Sequence, residues 1–212
     1  MRNALWAMSF AVSGVASGQV LVTEAFVGLS GPDGTEDWFE LTNFGGSAVD
    51  TAQFFYDDDS ADFSVAAPLS SILLQPGESA VFLIDSGAAE VAEFEDVWGS
   101  GILVGTTTGG SGLGQGGDGV TLFLGDGSIV TQQATPAALS GTLQTIDFVG
   151  GTAQASALGV NGAFESNPFE NDDLNPTSPF LVTLVGSPGV IPAPGTAALL
   201  GLGGLAAIRR RR

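Results

Sequence analysis

Four aspartates lie within six residues in the segment Asp57-Asp58-Asp59-Ser60-Ala61-Asp62. Carboxylate oxygens are the ligands that Ca²⁺ prefers, and a loop can direct alternate carboxylates at one point. The sequence therefore predicts a calcium site in which Asp57 and Asp59 converge and Asp62 reaches back. The run lacks the fixed glycine and the final glutamate of an EF-hand loop. The alternative is an acidic loop that is only solvated.

Composition excludes most catalytic chemistry. The chain has no Cys and no His, and its five basic residues are all arginines. It therefore offers no Ser-His-Asp triad, no Cys-His dyad, no His-ligated metal and no Schiff-base lysine. A glycosidase-like carboxylate pair is conceivable, but 23 acidic residues offer too many pairings to name one. We expect a protein without enzymatic activity and with no cofactor unless calcium binds.

Residues 109–119 form a glycine-rich segment that begins like a nucleotide-binding fingerprint at Gly112-Leu113-Gly114. A phosphate site of that kind needs a following helix in a βαβ unit or a lysine, and the sequence has neither. We interpret the segment as a loop that leads into a β-hairpin. Gly125-Asp126-Gly127 is the predicted turn of that hairpin and requires positive φ angles.

The basic residues lie only in the two tails, with all 23 acidic residues between them. They are Arg2 at the front and Arg209, Arg210, Arg211 and Arg212 at the back. A body of this charge repels polyanions, so we expect no binding to nucleic acid or to anionic membranes. Without cysteines there is no disulfide framework. A body of about 170 residues is long enough for one sizeable core.

The first 18 residues have the layout of a secretory signal peptide. A basic start at Arg2 precedes an apolar run over 4–12, and small residues follow at Ala16-Ser17-Gly18. Cleavage after Gly18 leaves Gln19 as the new N-terminus. The alternative is a core helix, but the run is too short to span a bilayer.

The last 22 residues have three parts. Pro192-Ala193-Pro194-Gly195 is followed by an apolar stretch over 196–208 and then by the four arginines Arg209, Arg210, Arg211 and Arg212. This order resembles the PEP-CTERM sorting signal of Gram-negative bacteria, with Ala193 in place of the central Glu. The resemblance implies recognition by an exosortase-type membrane protease and membrane contact only through the unprocessed C-terminal helix. The alternative is a permanent C-terminal anchor.

Short apolar runs separated by turn residues predict an all-β protein. Pro76-Gly77 predicts a type II turn before the strongest strand. Residues 88–98 form the one helical pattern of the body, with Val91, Phe94 and Trp98 on its core side. The predicted strands cover residues 20–27, 37–43, 52–56, 62–65, 80–84, 120–124, 128–132, 143–148 and 180–185.

Alternation along these strands predicts the core. In the second strand, Phe39 and Leu41 share one face, and Glu40 and Thr42 share the other. Residues 161–179 are predicted to be irregular coil. The predicted inward-facing residues are Trp38, Phe39, Leu41, Val81, Leu83, Leu122 and Leu124.

The order of these segments resembles the lamin tail domain. The matching pieces are Leu21-Val-Thr-Glu24, Asp37-Trp-Phe-Glu-Leu-Thr-Asn43, Leu74-Gln-Pro-Gly-Glu78 and the hairpin over 117–127, with Ser187-Pro-Gly189 echoing the family's close. The resemblance implies an immunoglobulin-like β-sandwich of the kind found in secreted or surface proteins. The basic DNA-contacting surface proposed for nuclear relatives has no counterpart in this sequence.

The predicted organisation is a signal peptide over 1–18, a lamin-tail-like sandwich over 19–150, an irregular extension with a last strand over 151–190, and a sorting signal over 191–212. We expect an exported protein at the cell surface or outside the cell, held transiently in the inner membrane by its C-terminal helix. Its expected role is in extracellular matrix or adhesion, with polysaccharide or other surface proteins as partners. The alternative is a calcium-dependent polysaccharide-binding module.

Overall fold

The computed structural model describes residues 20–28, 36–171 and 180–190. The predicted signal peptide lies outside these ranges. The predicted sorting residues also lie outside them, and these are Pro192, Pro194, Gly195, Arg209, Arg210, Arg211 and Arg212. Within the described ranges, no helix combines the length and the apolar character that crossing a bilayer requires.

Strands dominate the described residues, together with one α-helix, α1, and a short 3₁₀ helix over Thr51–Gln53. The elements in chain order are β1 Val20–Phe26, β2 Trp38–Asn43, β3 Val49–Asp50, β4 Phe54–Asp57, β5 Ala67–Pro68, β6 Leu73–Leu74, β7 Ser79–Leu83, α1 Ala88–Trp98, β8 Val104–Thr106, β9 Asp118–Leu124, β10 Ile129–Thr135, β11 Ile146–Asp147, β12 Gln154–Ala155, β13 Phe164–Glu165, β14 Phe169–Asn171, β15 Phe180–Val182 and β16 Val185–Gly186.

The strands form two main sheets. One has six strands in the order β12-β11-β1-β2-β7-β8, and the other has four in the order β10-β9-β4-β5. The pairings within both sheets are antiparallel except for β7 with β8, which is parallel. Three further pairs of strands, β3-β6, β13-β16 and β14-β15, stand apart from these sheets.

The two main sheets pack face to face over one apolar core. Phe39 and Phe82 come from the six-stranded sheet, and Tyr56 and Leu122 come from the four-stranded sheet. The rings of Phe39 and Tyr56 stack across the interface with centroids 5.0 Å apart. This arrangement confirms the predicted all-β sandwich.

The opposite face of the six-stranded sheet is also buried. Helix α1 lies over it, and Phe94 and Trp98 of the helix pack against Trp38 and Leu83 of the sheet. The ring centroid of Trp38 is 5.9 Å from that of Phe94 and 6.2 Å from that of Trp98. The fold therefore has three layers, with the six-stranded sheet in the middle.

The predicted helix is confirmed over Ala88–Trp98. Its first turn is closed by Glu90, whose carboxylate accepts from the backbone N–H of Gly87 at 2.7 Å. It ends at Gly99, whose φ of 94° favours glycine. Phe94 and Trp98 are buried as the apolar stripe predicts, and Val91 is half-buried against the same cluster.

Six of the seven predicted core residues are fully buried, and Leu124 is half-buried at the edge of the core. The prediction that all seven face inward between the two sheets is wrong for Trp38, Val81 and Leu83, which lie on the opposite face of the six-stranded sheet beneath α1, because successive residues of a strand point to opposite faces. The predicted strand over 62–65 is wrong, because these residues form a turn. Asp62 accepts hydrogen bonds from the backbone N–H and the hydroxyl of Ser64 at 2.9 and 2.7 Å, which is a turn interaction that competes with a strand.

The prediction of irregular coil over 161–179 is wrong in part. The described part of this region contains β13, which pairs with β16, and β14, which pairs with β15. Nearby, β12 extends the edge of the six-stranded sheet. These pairs are too short for a sequence pattern to reveal, and they bring the C-terminal part of the chain onto the face that α1 covers.

Candidate functional site

Asp57 is a buried residue at the end of β4, and its carboxylate organises the acidic loop that follows. It is 2% exposed. Its Oδ2 atom accepts from the hydroxyl of Ser60 and from the backbone N–H of Asp62, both at 2.7 Å. Asp57 therefore serves to fold the loop, and it is not part of the carboxylate cluster that the structure forms.

Asp62 also lies apart from a common point. Its side chain is exposed, and its Oδ1 atom holds the backbone and hydroxyl of Ser64. The hydrogen bond from the Ser64 hydroxyl, followed by that from its backbone N–H, lowers the pKa of Asp62. Of the three predicted ligands, only Asp59 therefore belongs to the carboxylate cluster that the structure forms.

That cluster consists of Asp58, Asp59 and Asp118, each of which offers one carboxylate oxygen within 4.8 Å of the others. Asp118 begins β9, next to β4 in the four-stranded sheet. Its Oδ1 atom accepts from the backbone N–H of Asp59 at 3.2 Å, and its Oδ2 atom accepts from that of Gly114. The glycine-rich loop is thus tied to the acidic loop by one carboxylate.

Asp58 and Asp118 are the ligand candidates that sequence reasoning missed. Asp118 lies 59 residues from Asp59 in the chain, so only the pairing of β4 with β9 brings them together. Burial raises the pKa of Asp58, but hydrogen bonds from the backbone N–H of Ser60 and from the hydroxyl of Ser111 outweigh that effect and lower it.

The Asp58-Asp59-Asp118 cluster has the chemistry of a hard-cation site. Ca²⁺ takes six to eight oxygen ligands, and three carboxylates with backbone carbonyls and waters supply that kind of set. The sequence has no Lys, Arg or His between residues 19 and 190 that could pair with these charges. A mobile cation is therefore the available counter-charge.

A separate carboxylate site, the pair Glu24 and Glu40, lies inside the protein. Each is 1% exposed, and they are opposite each other in the pairing of β1 with β2. Thr23 is the extra residue of a β-bulge between Val22 and Glu24. Because a bulge re-aims side chains, Thr23 and Glu24 both reach the face that α1 and residues 184–189 cover.

The polar face of β2, which carries Glu40 and Thr42, is buried beneath the C-terminal part of the chain. Polar residues that alternate with apolar ones usually mark the solvent-facing side of a strand. Here the hydroxyl of Thr42 lies 2.8 Å from that of Thr23, and the latter donates to Glu40 at 2.5 Å. Alternation correctly separates two faces, but it does not say that one of them is wet.

Neutral donors surround both glutamates. Glu24 accepts from the hydroxyl of Thr145, and from the backbone N–H and hydroxyl of Ser187 at 2.8 and 3.0 Å. Glu40 accepts from the backbone N–H of Gly189 at 2.6 Å. Burial raises the pKa of Glu24 to about 7, against the lowering effect of these donors.

Glu40 is affected in the same direction. Burial raises its pKa well above the ordinary value for a glutamate, and the charge of Glu24 raises it further. A cavity of about 200 Å³ borders this region, and it is lined by Glu78, Ser79, Gly101, Ile102, Leu103 and Gly189.

The fold and these sites define a layered, all-β acidic protein with a partly exposed carboxylate cluster and a buried carboxylate pair. No protein-family model matches the chain, and no curated protein or solved structure matches it significantly.

Proposed function

We propose that this chain is an exported, non-enzymatic domain, displayed at the cell surface or released from it, with a role in extracellular matrix or adhesion. The observation that carries this proposal is the charge distribution. Residues 19–190 hold all 23 acidic residues and no Lys, Arg or His. Such a body repels nucleic acid and anionic membranes. In an extracellular medium that contains salt, screening limits the repulsion between these carboxylates to a range of about 10 Å.

The finer fold assignment belongs to the same proposal. The order of the Glu24, Asp37–Asn43 and Pro76-Gly77 motifs supports an immunoglobulin-like sandwich of the lamin tail kind. Bacterial proteins with this domain are usually secreted or surface modules, which agrees with the tails at both ends. The segment Pro192 to Arg212 supports an exosortase-type protease as the processing partner.

Processing is the first prediction. Cleavage near Pro194 removes the apolar stretch and the terminal arginines, so we expect surface-extracted protein to lack them. Intact-mass measurement of that protein checks the result. The matched control is a variant that lacks the charge cluster of the proposed signal, with Gln in place of Arg209, Arg210, Arg211 and Arg212. We expect this variant to keep its C-terminal tail. A wild-type mass that still includes the four arginines contradicts processing.

A second candidate function, calcium-dependent polysaccharide binding, is favoured by the cluster of Asp58, Asp59 and Asp118. Asp58 and Asp59 lie on the loop after β4, and Asp118 is the first residue of β9, which pairs with β4. A cation there would join the acidic loop to the glycine-rich loop. It would also leave ligand positions open for sugar hydroxyls, because Ca²⁺ takes more oxygens than three carboxylates supply.

Calcium should therefore stabilise the folded protein. With an affinity in the range of extracellular calcium modules, 10 mM Ca²⁺ adds about 1.4–2.7 kcal/mol by mass action. We expect the melting temperature to rise by roughly 3–10 °C above its value in Mg²⁺ at equal ionic strength. Thermal unfolding in calcium, magnesium and chelator measures this.

The variant Asp59→Asn/Asp118→Asn should lose the calcium effect. Asp126→Asn is the matched control, since Asp126 also accepts hydrogen bonds in an exposed turn but lies outside the cluster. It should keep the full effect. Identical melting curves in calcium, magnesium and chelator would leave only a solvated acidic loop.

A further inference from the structure

The last described segment of the chain is fastened to the six-stranded sheet through two carboxylates. Residues 185–190 comprise β16 and a turn in which the backbone N–H of Val190 bonds to the carbonyl of Ser187 at 3.0 Å. The N–H of Ser187 bonds to Glu24, and the N–H of Gly189 bonds to Glu40. Gly189 has a φ of 75°, a left-handed backbone conformation that glycine adopts without steric cost.

The two carboxylates that hold this segment oppose each other electrostatically. Glu24 and Glu40 occupy opposite positions on adjacent strands and are both buried. Like charges at such positions are destabilising, and burial strengthens the repulsion. Residues 19–190 contain no cationic side chain that could neutralise either glutamate. Protonation of one of the two carboxylates therefore relieves the repulsion between them.

One further carboxylate faces the pair. Asp147 on β11 is opposite Glu24 in the strand pairing, and it accepts from the backbone N–H of Val149 and from the side chain of Asn161, both at 2.6 Å. β12, β16 and β7 present no titratable side chain to the pair, and Glu165 on β13 is exposed. Asp147 adds to the cost of ionising both glutamates.

We propose that Glu24 and Glu40 form a protonation-dependent latch that fastens residues 185–190 to the sheet while the pair holds a proton and loosens them when both carboxylates are ionised. This inference is independent of the proposed function, since it rests only on contacts within the fold. The chemical signal that it responds to is pH.

Both glutamates can take up a proton without losing their bonds to the backbone. In Glu40, Oε2 accepts from the N–H of Gly189, whereas Oε1 accepts from the hydroxyl of Thr23. In Glu24, Oε1 accepts from the N–H of Ser187, whereas Oε2 accepts from its hydroxyl. A hydroxyl can turn from donor to acceptor, so each glutamate has one oxygen that can carry a proton.

A chain of hydroxyls joins Glu40 to the cavity. Since Thr23 donates its one hydroxyl proton to Glu40, Thr42 must donate to Thr23 and Ser79 to Thr42, across 2.8 and 2.6 Å. Ser79 lines the cavity that Gly189 also borders. When a proton enters at Ser79, each hydroxyl can pass its own proton to the next one, so that the last transfer, from Thr23, protonates Glu40. Burial therefore does not isolate the pair from the pH of the solvent.

The direction of the pH effect follows from the raised pKa values. A carboxyl group whose pKa is higher in the folded state than in the unfolded state binds its proton more tightly when folded. Its contribution to stability is therefore fully present below about pH 4.5, the ordinary glutamate pKa, and it is lost as the pH rises through the raised pKa values of the folded state, which is about 7 for Glu24. The latch should be closed at pH 5 and loosened at pH 8.

Amide hydrogen exchange on the full folded chain tests the latch. Protection factors, which remove the intrinsic pH dependence of exchange, should fall at least tenfold for the amides of 185–190 between pH 5 and pH 8. Helix α1 serves as the internal reference. In Glu24→Gln/Glu40→Gln the fall should disappear, because Gln keeps an acceptor for the backbone N–H and imitates the protonated carboxyl.

Glu165→Gln is the matched control, because Glu165 lies on β13, which pairs with β16, but is exposed. It should keep the wild-type fall. Glu40→Gln alone gives a second variant if the double variant does not fold, and it should reduce the fall. The latch is overturned if wild-type protection of 185–190 is independent of pH, or if the Gln variants fall as the wild type does.

Discussion

Replacing Leu83 with Asp is expected to abolish soluble folding. Leu83 is 1% exposed on β7, where it packs beneath Phe94 and Trp98 of α1. The substitution removes a buried leucine, which alone costs about 2–5 kcal/mol, and places a carboxylate where no cation can pair with it. An unpaired buried charge adds several kcal/mol. The total approaches the whole stability of a typical domain, about 5–15 kcal/mol.

Soluble yield and thermal unfolding by circular dichroism measure this effect. Leu73→Asp is the matched control, since Leu73 is also a strand leucine but is 60% exposed on β6. We expect it to change stability by no more than about 0.5 kcal/mol, as is usual for surface substitutions. If Leu83→Asp melts at the wild-type temperature, the assignment of Leu83 to the buried face is wrong.

Local patterns are sufficient to predict much of the middle layer. Helix α1 is predicted because its apolar stripe is a local signal. Strands β1, β2, β7 and β9 are predicted because they are long enough for apolar residues to recur. The pairs formed by β13 to β16 are missed because strands of two or three residues carry no usable period.

The two carboxylate sites depend on contacts between distant parts of the chain. Glu40 meets Gly189, which is 149 residues away, and Asp59 meets Asp118, which is 59 residues away. No local spacing encodes such contacts. The apolar stripe of α1 does indicate the second buried face. An amphipathic helix must pack its apolar side against a surface, and one face of the six-stranded sheet is already covered by the other sheet, so the opposite face remains for the helix.

The acidic loop over 57–62 also shows what a local pattern can and cannot predict. The dense run over 57–62 correctly marks a loop rich in carboxylates, but a carboxylate can also serve as a turn acceptor. Asp57 and Asp62 bond to nearby backbone N–H groups, which fold the loop, and Asp59 lies near Asp118. Asp58 does both, since it also accepts from the backbone N–H of Ser60 at 2.8 Å. The number of aspartates is visible in the sequence, but the division of their roles is not.

Trp38 and Phe39 provide the sharpest test of the three-layer fold, because they are consecutive residues of β2 and their side chains point to opposite faces. Both are fully buried, Trp38 in the cluster beneath α1 and Phe39 in the cluster between the sheets. We expect Trp38→Ala and Phe39→Ala each to lower the free energy of unfolding by about 3–5 kcal/mol. Urea denaturation measures both.

Phe44→Ala is the matched control, since Phe44 follows the same strand but is 45% exposed, and it should cost less than about 1 kcal/mol. In a sandwich with only two layers, one of the two consecutive aromatics would face solvent, so a near-neutral Trp38→Ala would contradict the burial of the second face.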